Sequence, residues 1–179
     1  MAYIALLRGI NVSGQKIIKM AELKLNFEKW GFKKVKTYIQ SGNIIFNATD
    51  NDPNQLAVMI AEKILDTYGF DVSVVVKSPS DLAKIIHENP FANDADKETH
   101  RVYFTLLAQP PSEGNIQKLS EYDFSPEQYI LQGTVIYFYS PKAYGKAKMN
   151  NNFFENKLKV AATTRNFKTL NKLIDMTSE

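Results

Sequence analysis

The chain contains no cysteine, only two histidines and a single tryptophan. Without thiols there is no disulfide framework, no cysteine nucleophile and no thiolate metal site, a pattern that suits a reducing compartment. His87 and His100 show no metal-ligand spacing, so no metal centre is expected. The loop after the first strand matches no phosphate-loop or dinucleotide fingerprint, its glycines Gly9 and Gly14 being too sparse, and no cofactor is expected either. No apolar run approaches the roughly 20 residues of a membrane helix, and Ala2 to Leu7 is too short for a signal-peptide core. The expectation is a cytoplasmic protein without membrane contact. Ser41 lies outside a Gly-x-Ser-x-Gly elbow, and the glycine-bearing segments contain no paired carboxylates of the glycosidase kind. A reaction is therefore not legible.

What the chain does have is core-forming material and an uneven charge. Its 179 residues are 44% hydrophobic and 12% aromatic, enough to bury a sizeable core. Residues 1–49 hold eight basic and two acidic side chains, net +6, whereas residues 50–100 hold four and ten, net −6. Residues 101–179 return to +3, and within them 142–172 carries eight basic residues against Glu155 alone. Two basic segments flanking an acidic middle fit contact with a polyanion, and equally a lysine-solvated surface.

Periodicity yields a regular order of elements. An apolar strand over 3–8 stops at Gly9. Met20, Leu23, Phe27 and Trp30 then recur at helical spacing before Gly31. Strands over 34–39 and 43–47 are joined through Ser41-Gly42. Asp52-Pro53 opens a helix that buries Leu56, Ile60 and Ile64 and ends at Gly69, and a valine-rich strand follows over 71–77. This is a split βαβ, or ferredoxin-like, unit. A helix starting at Ser78-Pro79-Ser80-Asp81 stops before Pro90.

The order then repeats. Strand 101–107, helix 112–120, strands 128–131 and 134–139, helix 151–158, an extended run 160–163 and helix 166–176 follow in turn. The hairpins 38–46 and 129–137 share Tyr, Ile, Gly and Ile at matching places, as expected of a duplication. The expected fold is α+β: two similar ferredoxin-like units, each an antiparallel sheet with helices on one face. The expected boundaries are 1–91, a linker 92–99, and 100–179.

Topology gives the first unit a candidate site. Its first and third strands are central antiparallel neighbours, so Arg8-Gly9-Ile10-Asn11 and Gln40-Ser41-Gly42-Asn43 meet at one sheet end. The connection from Asn11 to Ile18 exceeds the roughly two to six residues usual for such a loop. Lys16 and Lys19 lie beside a helix N-terminus able to receive an anion.

The runs Tyr3-Ile-Ala-Leu-Leu-Arg-Gly-Ile-Asn-Val12, Lys19-Met-Ala-Glu-Leu23, Gly31-Phe32 and Thr37-Tyr-Ile-Gln-Ser-Gly-Asn43 closely resemble the uncharacterised bacterial family called domain of unknown function 1697. Asn89-Pro90-Phe91 and Thr164-Arg165-Asn166-Phe167 with Leu170 fit the same pattern. The chain departs where the family often has Gly-Gly (here Ser13-Gly14), serine (here Ala147) and tryptophan (here Phe167). The resemblance implies an α/β fold and a site location, with no established activity.

Only three of the 22 basic residues are arginine. Arg8 and Arg165 lie in the segments just quoted, and a planar guanidinium holds a phosphate or carboxylate by two parallel bonds as lysine does not. Each is either anion-facing or an internal clamp. A second basic loop, Tyr144 to Asn152, offers Lys146, Lys148 and Asn150, either toward a phosphate or as an ordinary capped surface turn. The candidate ligand-binding residues are Arg8, Asn11, Lys16, Lys19, Gln40, Ser41, Asn43, Lys146, Lys148, Asn150, Arg165 and Asn166. Three readings stand open: a module binding a phosphate-bearing small molecule or nucleic acid, a metal-free enzyme on an anionic substrate, or an oligomer-forming structural protein whose Asn, Ser and Gly merely make turns. Against RNA recognition, strand 43–47 presents Phe46 as its sole stacking ring.

Overall fold

A computed structural model describes residues 1–49 and 52–178. The chain forms two compact units, the first comprising Met1–Ala83 and residues from Asn171 onward, the second Lys84–Leu170. In the first unit, β1 (Ala2–Leu7), α1 (Met20–Lys29), β2 (Lys33–Tyr38), β3 (Asn43–Asn47), α2 (Pro53–Tyr68) and β4 (Val74–Lys77) follow in order. Its sheet runs β2-β3-β1-β4, with every neighbouring pair antiparallel.

Alternation along the strands builds the core. Tyr3, Ala5, Leu7, Ile44 and Phe46 pack with Leu23 and Phe27 of α1 and with Leu56, Ile60 and Ile64 of α2, each contributing about 1.5–3 kcal/mol for a large side chain fully withdrawn from water. The expected helix signals are present: Asp52 accepts the Asn54 N–H at 2.8 Å, and Gly69 takes the left-handed C-cap conformation.

The second unit repeats the plan with β5 (Val102–Leu107), α4 (Glu113–Ser120), β6 (Gln128–Gln132), β7 (Val135–Tyr139), α5 (Asn151–Leu158) and β8 (Ala162–Asn166), ordered β6-β7-β5-β8. The likeness extends to single bonds. The Leu7 N–H donates to Gly42 O at 2.8 Å and the Leu107 N–H to Thr134 O at 2.9 Å. The Arg8 N–H donates to Ser73 O at 2.9 Å and the Ala108 N–H to Ala161 O at 2.8 Å. The Tyr3–Phe46 ring pair, 5.9 Å apart, recurs as Tyr103–Phe138 at 6.2 Å.

Three expectations need adjustment. The ungapped hairpin match is out of step, because Phe46 corresponds to Phe138: the first hairpin turns between Tyr38 and Asn43, the second in two residues between Gln132 and Val135. The extended run expected at 160–163 is β8, at Ala162–Asn166. The acidic stretch 92–99 is not a free linker but lies within the second unit. There the Lys97 ammonium pairs with the Asp94 carboxylate and lies over the rings of Phe91 and Tyr139. Two helices, α3 (Pro79–His87) and α6 (Phe167–Ser178), contribute residues to both units.

One buried phenol makes the second unit sensitive to alkali. Tyr137 is buried in the sheet and donates to Ile85 O at 3.1 Å. Burial, reinforced by Glu88, raises its pKa above the ordinary value of 10.0. The folded state therefore holds this proton after the unfolded chain has lost it, so the contribution is complete below pH 10 and disappears as pH rises through the raised folded value. Tyr137→Phe is expected to cost about 1 kcal/mol at neutral pH for the lost bond. It should also flatten the decline of melting temperature above pH 10, as thermal scans across that range would show.

Candidate functional site

The predicted meeting of two distant segments is present in the first unit. Leu6 pairs with Asn43, and the Leu7 N–H reaches Gly42 O. Gly42 has φ +79, and a Cβ there would lie 2.8 Å from Leu7 Cβ and 2.9 Å from Ile10 Cδ1. A side chain is thus excluded twice, by backbone conformation and by space. Asn43 is fully buried, its amide donating to Tyr38 O at 3.0 Å and Ser41 Oγ at 2.9 Å. It closes the turn from within.

The long connection from β1 to α1 is an ordered structure. Val12 and Gln15 bridge as a small hairpin around Ser13 (φ 51) and Gly14 (φ 75). Two consecutive left-handed residues make the type I′ turn that matches strand twist. Asn11 anchors the base. Its amide donates to Ile18 O at 2.9 Å and Gln40 O at 2.8 Å, while its Oδ1 accepts the Ile18 N–H at 2.8 Å. The Lys16 ammonium donates to Asp71 O, tying the loop to the chain entering β4.

These bonds sort the candidate residues. Arg8, Lys16 and Ser41 are half-buried, and Lys19 and Gln40 are exposed at the same sheet end. Asn11 and Asn43, expected to face a ligand, make these bonds within the chain. Three large aliphatic side chains stand open there: Val12 at 55%, Ile17 at 57% and Ile39 at 50% exposure. Each adjoins one of the three residues joined through Asn11, so one asparagine gathers all three. Sequence reasoning missed them because β-branched residues read as interior ones.

In the second unit the basic loop is already satisfied by an anion of the chain itself. The Glu127 carboxylate accepts the Lys148 N–H at 2.9 and 3.2 Å and the Met149 N–H at 2.9 Å. Asn150 caps α5 through the Phe153 N–H, and Asn166 accepts the Thr169 N–H at 2.8 Å. Arg165 donates from Nη1 to Thr163 Oγ1 at 2.7 Å and Thr164 O at 2.9 Å. Lys146 is exposed in a single 3-10 turn, and Lys148 lies 5.4 Å from the Phe124 ring centre. The backbone donors at 148 and 149 are thus taken and Asn150 is a cap, while the Lys146 and Lys148 side chains remain exposed. Glu127 lies 21 residues upstream of its nearer partner, and no local spacing marks such a contact.

Among the described residues there is no group of three or more His, Cys, Asp or Glu able to hold a metal ion, and no helix is long and apolar enough to cross a membrane. A family model described as protein of unknown function, DUF1697, matches residues 1–137. The chain belongs to that family. The DUF1697 match spans the whole elaborated end of the first unit. No curated protein matches the chain. Among solved structures, the conserved bacterial protein SP0830 from Streptococcus pneumoniae is similar at 27% identity and a TM-score of 0.72, covering 98% of this chain and 97% of its own. Ala147, where the sequence departs from the expected serine, is buried in the second core; its role is packing.

Proposed function

We propose that the protein is a binding module that holds a phosphate-bearing ligand at the elaborated end of its first unit. The observation that carries this reading is the difference between the two copies of one fold. The second unit connects its first strand to its first helix through residues 108–112, whereas the first unit uses 8–19. The fold needs only the shorter connection. The excess is stiffened by hydrogen bonds, begins at Arg8, contains Lys16 and ends at Lys19, the residue before α1, whose positive end favours an anion.

The aliphatic residues support a ligand with an apolar portion. Ile39 is half-exposed at φ 49, a conformation that costs a β-branched residue roughly 1–2 kcal/mol and brings no burial in return. A nucleotide combines phosphates for the cations with apolar surface for Val12, Ile17 and Ile39. A long nucleic acid fits less well. The sheet face opposite α1 and α2 carries Ile4, Leu6, Ile45 and Val75, all buried and none aromatic, so it gives unstacked bases no platform.

Thermal stabilisation by inorganic phosphate, pyrophosphate and nucleoside mono- and triphosphates tests the proposal. A ligand at 100 times its Kd is expected to add about 2.7 kcal/mol, roughly 5–10 °C for a chain of this size. Arg8→Ala should remove that shift while the first unit stays folded. If Arg8→Ala itself unfolds the first unit, the guanidinium is an internal clamp and the reading fails. A second reading, an oligomer-forming surface, is favoured by the same exposed aliphatics. Concentration-dependent sedimentation without stabilisation by any phosphate would select it.

A further inference from the structure

The second unit departs from the common plan at a different connection. Its helix-to-strand link occupies residues 121–127, where the first unit needs only 30–32. This longer link is Glu121-Tyr-Asp-Phe-Ser-Pro-Glu127, rich in rings and carboxylates, in a chain with net charge +3. It forms one wall of a recess of about 290 Å³ that also takes in Phe91, Tyr129, Ile130 and Met149. The lining thus has four aromatic rings, those of Phe91, Tyr122, Phe124 and Tyr129. Its charged groups are Asp123 and Glu127, and no lysine or arginine lines it.

We infer that this recess is a binding site for an organic cation, a substituted ammonium group carried on a small apolar body. Aromatic faces attract cations through their quadrupole, and ammonium ligands are held by several rings with a carboxylate nearby. The same rings already do this for the chain's own lysines. Lys157 Nζ lies 4.2 Å from the Tyr122 ring centre and Lys148 Nζ 5.4 Å from that of Phe124, both outside the lining of the recess.

The carboxylates differ in availability. Glu127 is committed to the Lys148 and Met149 N–H groups. Among the described residues, Asp123 accepts from within its own loop alone, from Ser125 N at 2.8 Å and Ser125 Oγ at 2.7 Å. The side-chain bond from Ser125, followed by the backbone bond, lowers the Asp123 pKa, so it presents a fixed negative charge at neutral pH. Ile130 and Met149 supply contact for the apolar body.

Choline and its neutral isostere 3,3-dimethylbutan-1-ol, titrated into the full chain by calorimetry with Tyr122 and Phe124 ring resonances followed by NMR, form the test. Choline is expected to bind saturably, shift those resonances and be preferred over the isostere by about fivefold or more. Asp123→Asn and Tyr122→Leu should each reduce choline affinity by roughly threefold or more while leaving the isostere's nearly unchanged. Equal affinity for the two compounds would reduce the recess to an apolar dent and overturn the proposal, as would absence of saturable binding. Preferential binding of a nucleotide over choline would overturn it as well. Should Tyr122→Leu collapse the loop, the comparison on the unaltered protein still decides.

Discussion

Gly42→Val is expected to lower the melting temperature of the first unit by roughly 5–20 °C, the largest loss from any single substitution at this sheet end. Two independent costs add. The residue sits at φ +79, where a side chain costs about 1–2 kcal/mol. The new Cβ would also meet Leu7 Cβ at 2.8 Å and Ile10 at 2.9 Å. Both neighbours are buried in the core, so relief requires β1 or the loop after it to move, at about 1–3 kcal/mol for an overpacked site. Gly133→Ala is the control: φ is +58 but nothing lies within 4 Å of the added carbon, so only the backbone cost of about 1 kcal/mol is expected. Thermal scans that place the two variants together would show that close packing at Gly42 is relieved without cost. Ligand-induced stabilisation should also vanish in Gly42→Val, because the 39–42 turn positions Gln40 and Ser41.

Much of this arrangement is legible without coordinates. Periodicity places the helices, since Leu56, Ile60 and Ile64 can share a buried stripe only at 3.6 residues per turn. A split βαβ order brings the end of the first strand to the start of the third, which is why Arg8 to Asn11 and Gln40 to Asn43 are predicted to meet. What stays hidden is the direction of each polar side chain. Asn11 reads as a ligand group because amides bind oxygens, yet three backbone groups lie within its reach only after folding. Glu127 is similar: its partners are set by where the 144–149 loop returns. The hairpin match fails for another reason. Tyr, Ile and Gly recur in any buried hairpin, whereas strand register depends on turn length, and the two turns differ.

Asn11→Ala is expected to cost about 2–4 kcal/mol, seen as a drop in melting temperature and faster hydrogen exchange at the Ile18 amide. The wild-type side chain makes one acceptor bond and two donor bonds, at 2.8–2.9 Å, and alanine leaves the Ile18 N–H and two carbonyls to find water. Alanine is also poorly suited to φ 55, so part of the loss belongs to the backbone. Asn11→Gly separates the two, keeping the left-handed conformation free while deleting the amide; it should recover only about 1 kcal/mol of the loss. Asn11→Asp keeps an acceptor for Ile18 N but turns a carboxylate toward Ile18 O and Gln40 O, and should be no better than alanine. All three variants release the joint among Val12, Ile17 and Ile39, so each should abolish ligand-induced stabilisation even in the folded protein. Arg8→Ala, by contrast, leaves that joint intact. If Asn11→Gly retained ligand binding, the rigid joint would be dispensable to recognition. The long connection would then serve the fold of the first unit rather than its ligand.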